Sequence, residues 1–219
     1  MPQNVKTLIA VPSVPEWKIL FPRIPFSKTV KSPYPWNRFF DAACVGIGLV
    51  GFAGNLAKLI SENRYGRILL VGIAGALPQS GLSTGDIVRV DEECVGDEGY
   101  LNGEDFAPYF RKPNLFFASS AKSAPKSIAE LPGVRGVSVN TLTANSQILE
   151  CRARFFGAKV ESMEGASAFA LAKAFGIESF EIRTISNFTG DTDESRWNIR
   201  ESLRSLKQKV LIPLIENPR

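Results

Sequence analysis

Two stretches of this 219-residue chain decide its fold: Glu161-Ser162-Met163-Glu164-Gly165-Ala166 and Arg183-Thr184-Ile185-Ser186-Asn187. In the first, a short apolar strand over 158–161 leads to a carboxylate, Glu164, at the start of a predicted helix over 164–175. In the second, a predicted strand over 179–186 is followed by the polar amide of Asn187. A strand, a helix and a second strand in this order are typical of an α/β fold.

The same alternation continues along the rest of the chain. Hydrophobic patterning predicts further strands over 6–11, 42–47, 67–73, 87–90, 114–118 and 134–139. It predicts further helices over 16–21, 50–62, 124–131 and 146–156, and a last amphipathic helix over 193–215. Residues 96–106 are rich in Gly, Asp and Glu and are interpreted as an exposed loop. We expect one α/β domain over 1–219, with a central mixed, twisted and largely buried sheet flanked by helices.

Composition and charge exclude several classes of protein. Hydrophobic residues make up 44% and charged residues 22% of the chain, which is typical of a soluble globular protein. The net charge is +4, and the one basic cluster, around Arg200 and Arg204, is interpreted as a solvated helix face. The chain has neither an apolar run of about 18 residues nor a signal peptide at its start. These features predict a cytoplasmic protein that binds neither nucleic acid nor membrane.

The cysteines and the absence of histidine limit the chemistry. Cys44, Cys94 and Cys151 lie far apart, without a CxxC pair, and the chain contains no histidine. A zinc site needs clustered thiolates or imidazoles, and a histidine-based triad is excluded. We therefore predict no metal site and no cofactor. Dispersed, odd-numbered cysteines suit a reducing compartment.

Two glycine-containing turns, Gly46-Ile47-Gly48 and Gly72-Ile73-Ala74-Gly75, follow predicted strands. They do not complete a dinucleotide-binding fingerprint, because no acidic residue ends a strand about 20 positions later. Glycine lets a ligand approach the main chain closely. Ordinary strand-to-helix turns remain the alternative.

Glu164 and Asn187 have the chemistry of a nucleoside site. A carboxylate can accept hydrogen bonds from two neighbouring sugar hydroxyls, and an amide can donate to a purine carbonyl or ring nitrogen. One helix separates the two residues, so adjacent strand ends would bring them to one crevice. The alternatives are a helix-start glutamate stabilised by the helix dipole and a turn asparagine that bonds its local backbone. Trp197 and residues 190–194 follow Asn187 closely and are candidates for the mouth of the site.

Glu16 lies beyond the first predicted strand, between prolines and aromatic residues. Partial desolvation there would suit a general base that activates water. The alternative is a surface glutamate in a loop.

Together these stretches resemble the purine nucleoside phosphorylase and nucleosidase superfamily, from Ile9 to about Leu203. The matching pieces are Gly72-Ile73-Ala74-Gly75-Ala76, Gly85-Asp86-Ile87-Val88, Met163-Glu164-Gly165-Ala166 and Arg183-Thr184-Ile185-Ser186-Asn187. Within it the chain is similar to the futalosine hydrolase family of the menaquinone pathway. That similarity rests on Ile185-Ser186-Asn187, Val139-Asn140-Thr141 and Gly96-Asp97-Glu98-Gly99-Tyr100. Adenine-specific relatives usually carry Asp where this chain has Asn187.

The resemblance implies hydrolysis of the N-glycosidic bond of a 6-oxopurine nucleoside. It assigns Glu16 to water activation and Asn187 to the departing base. It assigns Glu164 to the ribose diol and Met163 to packing against the ribose. Leu142 falls where relatives often place a base-stacking phenylalanine. The remaining predicted substrate-binding residues are Ala74, Gly75 and Ser186.

Two parts of this interpretation leave alternatives open: the nucleophile, and the nucleoside on which the protein acts. Phosphorolysis needs an anion site, and the candidate cations Arg23, Arg38 and Arg67 lie outside the glycine motifs, so water is favoured as the nucleophile. Another purine nucleosidase or phosphorylase, acting on inosine or an adenine thionucleoside, and a non-catalytic nucleoside-binding protein remain open. Relatives pair subunits, so a homo-oligomer is expected, with the aromatic, proline-rich segment over 17–36 as its contact.

Overall fold

The computed structural model describes residues 6–24 and 33–216. The strands are β1 (Thr7–Val11), β2 (Tyr34–Pro35), β3 (Phe40–Cys44), β4 (Arg67–Ala76), β5 (Ile87–Glu93), β6 (Gly99–Asn102), β7 (Asp105–Pro108), β8 (Phe116–Phe117), β9 (Gly133–Ser138), β10 (Val160–Ser162) and β11 (Glu178–Phe188). The helices are α1 (Val14–Leu20), α2 (Leu49–Glu62), α3 (Lys126–Ala129), α4 (Ser146–Arg154), α5 (Gly165–Phe175), α6 (Ile199–Leu206) and α7 (Ile212–Glu216). A π-helical segment, Lys207–Leu211, joins α6 to α7.

Most of these strands belong to one mixed sheet. Within the described residues it has nine strands, in the order β10-β9-β5-β11-β4-β1-β3-β2, with β8 added to β5. The last residues of β4 also pair antiparallel with β10, at Val160–Ala76 and Glu161–Gly75. Five strands, β4, β11, β5, β9 and β10, thus close into a ring. The predicted α/β class, with a mixed sheet flanked by helices, is confirmed.

Strands β4 and β11 lie inside the sheet, and both faces of this region are covered by helices. Nine of the eleven residues of β11 are buried, as expected for strands between two helical layers. On one face, Phe52 and Leu56 of α2 pack in a common core with Phe169 of α5. On the other, Trp17 of α1 shares a core with Leu203 of α6. The two layers leave the ends of β4 and β11 open for a site.

Two predicted elements differ from the structure. Residues 96–106, expected as a loop, contain most of a separate hairpin in which Gly99 pairs with Pro108 and Asn102 with Asp105. The helix expected over 193–215 is interrupted before α6. There the Asn198 N–H donates to the Ser186 carbonyl, 2.8 Å away, and the Trp197 indole donates to the Asp191 carbonyl. These tertiary hydrogen bonds replace those of a continuous helix.

The aromatic segment expected as a subunit contact is instead partly covered by its own chain. Trp17 and Phe21 are buried, and their ring centroids lie 4.8 Å apart. Trp36 packs edge-on against Phe21. Phe26 lies outside the described residues. The buried rings of this segment are therefore not available to a second subunit.

In the described part of the chain, no helix is both long and apolar enough to cross a membrane. The cytoplasmic location and the single-domain organisation over 1–219 stay predictions.

Candidate active site

A cavity of about 260 Å³ lies where the ends of β4, β10 and β11 meet the start of α5. All eight predicted site residues line it: Glu16, Ala74, Gly75, Leu142, Met163, Glu164, Ser186 and Asn187. They come from five separate parts of the chain, and the folded sheet with its flanking segments brings them together. Their individual chemical roles stay predictions.

Glu164 is the residue immediately before α5, and its carboxylate contacts groups outside that helix. One oxygen accepts from the Gly48 main-chain N–H at 3.2 Å. The other accepts from Arg183 Nη2 at 3.1 Å. The side chain makes no hydrogen bond to the first turn of α5. Long-range contacts therefore fix this carboxylate, and it lies buried at the wall of the cavity.

Glu16 belongs to helix α1 and is buried, so the alternative of a surface loop glutamate is wrong. Its Oε2 accepts from the Ser13 main-chain N–H at 2.9 Å and from the Ser13 hydroxyl. Its Oε1 accepts from the Ile73 N–H at 2.9 Å. Burial raises the pKa of Glu16, and the hydrogen bonds from Ser13 and Ile73 and the charge of Arg183 oppose that rise. The result is a rigidly held carboxyl group with a strengthened affinity for a proton.

Asn187 reaches the cavity because β11 is irregular at this point. The register with β4 shifts between Ile185 and Asn187, a β-bulge that re-aims the following side chain. The Asn187 carbonyl oxygen accepts from the Ser186 hydroxyl at 2.8 Å, and the amide nitrogen donates to the Phe188 carbonyl at 3.1 Å. An amide nitrogen carries two hydrogens, so one N–H remains for a ligand.

Gly75 allows this close approach. A Cβ at position 75 would lie 2.9 Å from Thr189 Cγ2 and 3.4 Å from the Asn187 amide nitrogen. The predicted turn over 72–75 is part of strand β4, and Gly75 makes room there for the packing of Asn187 and Thr189.

Arg183 also lines the cavity, although the sequence analysis gave it no role. Its side chain is fully buried. It donates from Nε to Glu181 at 2.6 Å, from Nη1 to the Ile73 carbonyl at 3.0 Å, and from Nη2 to Glu164. Since Ile73 also donates to Glu16, one main-chain unit and one guanidinium connect the two carboxylates of the site. The available signal was a pair of opposite charges, Glu181 and Arg183, inside a strand predicted to be largely buried.

The rest of the wall is mainly apolar. It includes Pro12, Pro15, Ile47, Trp197 and Ile199. Glu194 and Trp197 come from the segment after Asn187 that was a candidate for the mouth. Apolar walls with a few convergent polar groups are typical of small-molecule sites.

Comparison with known proteins identifies the family. A model of the phosphorylase superfamily matches residues 42–212. The chain belongs to this superfamily. The resemblance found in the sequence is thereby confirmed.

Two relatives with similar sequences are futalosine hydrolases. The chain is 32% identical over 183 residues to futalosine hydrolase from Thermus thermophilus, covering 75% of this chain and 76% of that protein. It is 29% identical over 180 residues to futalosine hydrolase from Acidothermus cellulolyticus, covering 76% of this chain and 72% of the relative.

Solved structures of the superfamily share the fold. Futalosine hydrolase of Helicobacter pylori superimposes with a TM-score of 0.77 at 18% identity, over 97% of this chain and 98% of that one. The 5′-methylthioadenosine/S-adenosylhomocysteine nucleosidase of Helicobacter pylori, solved with butyl-thio-DADMe-Immucillin-A, gives 0.77 at 19% identity. That match covers 98% of this chain and 100% of that one. At these identities the likeness concerns the fold alone.

Proposed function

We propose that the protein hydrolyses the N-glycosidic bond of a 6-oxopurine nucleoside, and that the nucleoside is futalosine. The products would be dehypoxanthine futalosine and hypoxanthine, which would place the chain in menaquinone biosynthesis. The observation that carries the proposal is that Glu16, Glu164 and Asn187 line one cavity. The futalosine hydrolases among its relatives support the choice of substrate.

The base preference follows from the amide at position 187. Hypoxanthine presents a carbonyl oxygen at the edge where adenine presents an amino group. A carboxylate at this position would repel that oxygen, whereas an amide N–H can donate to O6 or N7. The hydrogen bond from Ser186 to the Asn187 oxygen favours the orientation that turns the amide nitrogen away from Ser186.

Glu164 would bind the 2′- and 3′-hydroxyls of the ribose. Gly48 and Arg183 hold its carboxylate in place from outside the helix. A carboxylate fixed in this way can still accept hydrogen bonds from two neighbouring hydroxyls, because each of its oxygens has two lone pairs. Met163, the neighbouring cavity residue, would pack against the sugar ring.

Glu16 would take a proton from the attacking water. The reaction passes through an oxocarbenium-like transition state in which negative charge builds on the departing base. The Asn187 amide would stabilise that charge, and a contact that strengthens towards the transition state accelerates the reaction. Glu16 would complete the step by accepting the proton as water adds to the sugar carbon.

The charge distribution supports water rather than phosphate as the nucleophile. Among the described residues that line the cavity, Arg183 is the one cation, and Glu181 and Glu164 already pair with it. Glu16 and Glu161 add acidic groups to the same wall. The candidate cation Arg67 pairs instead with Glu178, 2.8 Å away. Glu161 is itself paired with Arg152, 2.6 Å away. A phosphate dianion would therefore find no unpaired cation among the described residues of this wall, and it would lie beside the Glu16 carboxylate.

Base release from a nucleoside panel tests this proposal. We expect the purified protein to release hypoxanthine from futalosine in phosphate-free buffer, at a rate that added phosphate does not change. Inosine and 5′-methylthioadenosine should be poorer substrates. Strict dependence on phosphate would contradict hydrolysis, and binding of futalosine without turnover would favour a non-catalytic protein.

The Asn187→Asp variant tests the base preference in the same panel. We expect the ratio of kcat/KM for futalosine to that for 5′-methylthioadenosine to fall by about tenfold or more. The variant would replace the hydrogen bond from the amide to the hypoxanthine oxygen by a repulsion between that oxygen and a carboxylate. Glu62→Gln, on the exposed end of α2, is the matched surface control and should leave the ratio unchanged. An unaltered ratio in the Asp variant would contradict the argument from the base edge.

We also propose that the chain forms a homo-oligomer, through a surface that includes the hairpin of β6 and β7. The hairpin of β6 and β7 presents Tyr100 and Leu101, followed by Tyr109 and Phe110, all largely exposed. Three of these rings contact one another. Exposed apolar patches of this kind are typical of interaction sites. Sedimentation velocity checks the proposal, and a monomer at micromolar concentration would exclude it.

A further inference from the structure

Two fully buried glutamates, Glu93 on β5 and Glu181 on β11, lie behind the candidate site. One oxygen of Glu181 accepts from Arg183 Nε at 2.6 Å. One oxygen of Glu93 accepts from the Ser138 hydroxyl at 2.9 Å. Within the described residues, the remaining oxygens, Glu93 Oε1 and Glu181 Oε2, are buried and have no hydrogen-bond partner.

These two oxygens point at the same place. Each lies within 2.5 Å of the position that a Cβ on Gly165 would occupy. Gly136 leaves similar room beside Glu93. The two glycines therefore create a space in which the two carboxyl groups face one another. Two ionised carboxylates would repel one another in that space.

The local charges do not balance if every carboxyl group is ionised. Arg183 is the cation of the cluster, and it already forms ion pairs with Glu181 and Glu164. The described groups that face Glu93 are Glu181 and Arg183 from β11, Glu164 before α5 and Ser138 from β9. Burial, and then the charge of Glu181, raise the pKa of Glu93 well above its ordinary range. An ionised Glu93 would be a buried charge without a partner.

We propose that Glu93 is a protonated positioning residue whose carboxyl O–H donates to Glu181 Oε2. This bond would give a hydrogen-bond partner to both Glu93 Oε1 and Glu181 Oε2. It would hold Glu181 on Arg183, and so hold Arg183 on Glu164. The Ser138 hydroxyl extends the chain, because it donates to Glu93 and accepts from the Ala166 N–H at the start of α5.

The consequence for catalysis rests on the proposed function, since it concerns the carboxylate assigned to the ribose. Glu93 would then add no further negative charge to Glu181, Glu164 and Glu16, the carboxyl groups that act on Arg183. Glu164 would keep the ion pair that fixes its geometry. The shared proton itself does not depend on which substrate the protein takes.

Infrared spectroscopy of the intact protein tests the proton directly. At pH 8 the wild-type protein should show a carbonyl stretching band of a buried, protonated carboxyl group that Glu93→Gln loses. Glu92→Gln is the matched control, because Glu92 is the next residue on β5 but pairs with Arg135 in a partly exposed ion pair. It should keep the band. A Glu93→Gln spectrum identical to wild type in this region would overturn the proposal.

Kinetics of two variants test the positioning role. Glu93→Gln keeps a hydrogen-bond donor and should retain kcat/KM within about threefold, whereas Glu93→Leu leaves Glu181 Oε2 without a donor and should lose about tenfold or more. Equal kcat/KM for the two variants would overturn the role. If Glu93→Leu does not fold, a loss of more than about tenfold in Glu93→Gln overturns it instead. A wild-type protein inactive on every nucleoside would defeat the proposed function, while the infrared comparison would still decide the proton.

Discussion

At the scale of single residues, Glu16 combines a structural and a proposed chemical task. It completes the capping box of α1 with Ser13, a motif that satisfies main-chain N–H groups at a helix start. The same carboxyl group lines the cavity and bonds to Ile73 of β4. Its position is therefore fixed before any ligand binds, which is what a base for a positioned water requires.

The raised pKa of Glu16 gives a prediction with a definite sign. A general base must be ionised, so kcat/KM should fall as pH drops through the folded-state pKa of Glu16, which lies above the ordinary value of 4.5. Glu16→Gln should lower kcat by about 10²–10⁴-fold, the usual contribution of a general base. The pH–rate profile of the wild type and single-turnover rates of the variant measure both effects.

The same shift has the opposite sign for stability. Between the unfolded and the folded pKa, the folded state binds more protons, so the free energy of unfolding contributed by Glu16 decreases as pH rises. Glu16→Gln should therefore weaken the decline of the thermal midpoint over that range, and Glu62→Gln on the surface should not. For the kinetic prediction, a Glu16→Gln variant with the kcat of the wild type would contradict the assignment of Glu16 as the general base.

The candidate site could largely be predicted at this scale. All eight predicted residues line the cavity. The residue types of Glu16, Glu164 and Asn187 indicated their chemistry, and the other five residues came with the family resemblance. The role of Arg183 could not be predicted from the sequence. That role depends on Ile73 of β4 and on Glu164 before α5, which come close to Arg183 only in the folded chain. The pairing of Glu93 with Glu181 could not be predicted for the same reason. The two residues lie 88 positions apart, and that separation does not indicate that their strands are neighbours.

At the scale of elements, β4 organises the site. Its main chain passes between Glu16 and Arg183, and Ile73 contacts both through its N–H and its carbonyl. This close passage requires glycine at position 72. A Cβ there would lie 2.7 Å from Glu16 Oε1 and 2.8 Å from Arg183 Nη1.

Gly72→Ala should therefore disturb both groups. We expect a loss of about 1–3 kcal/mol in the free energy of unfolding from overpacking, together with a fall in kcat/KM. Gly54→Ala, at an exposed position of α2 with nothing within 4 Å of the new Cβ, is the matched control and should stabilise by about 0.5–1 kcal/mol. Chemical denaturation measures both changes. Equal stability of the two variants would contradict the packing argument around β4.

The elements were predictable in kind and order but less so at their ends. Strand β4 extends past its predicted end at 73 because its last residues pair with both β10 and β11. The bulge at Asn187 and the hairpin of β6 and β7 also depend on pairing partners. Apolar patterning marks which residues are buried, while the partners decide where a strand bends or stops.

At the scale of the whole molecule, ring closure of five strands gathers the site from distant parts of the chain. Glu16 follows β1, Glu164 precedes α5, and Asn187 lies in β11, yet all three line one cavity. The alternation of strands and helices predicted the α/β class. It could not predict the closure, because the contact of β10 with β4 joins residues more than 80 positions apart.

A crystal structure of the Glu16→Gln variant with futalosine bound would show directly whether Glu164 and Asn187 hold one nucleoside. We expect the hypoxanthine O6 or N7 within about 2.7–3.2 Å of the Asn187 amide nitrogen, and the ribose hydroxyls at the same range from Glu164. The anomeric carbon should face residue 16 across a space for one water. A nucleoside bound with its base away from Asn187, or its ribose away from Glu164, would contradict the account.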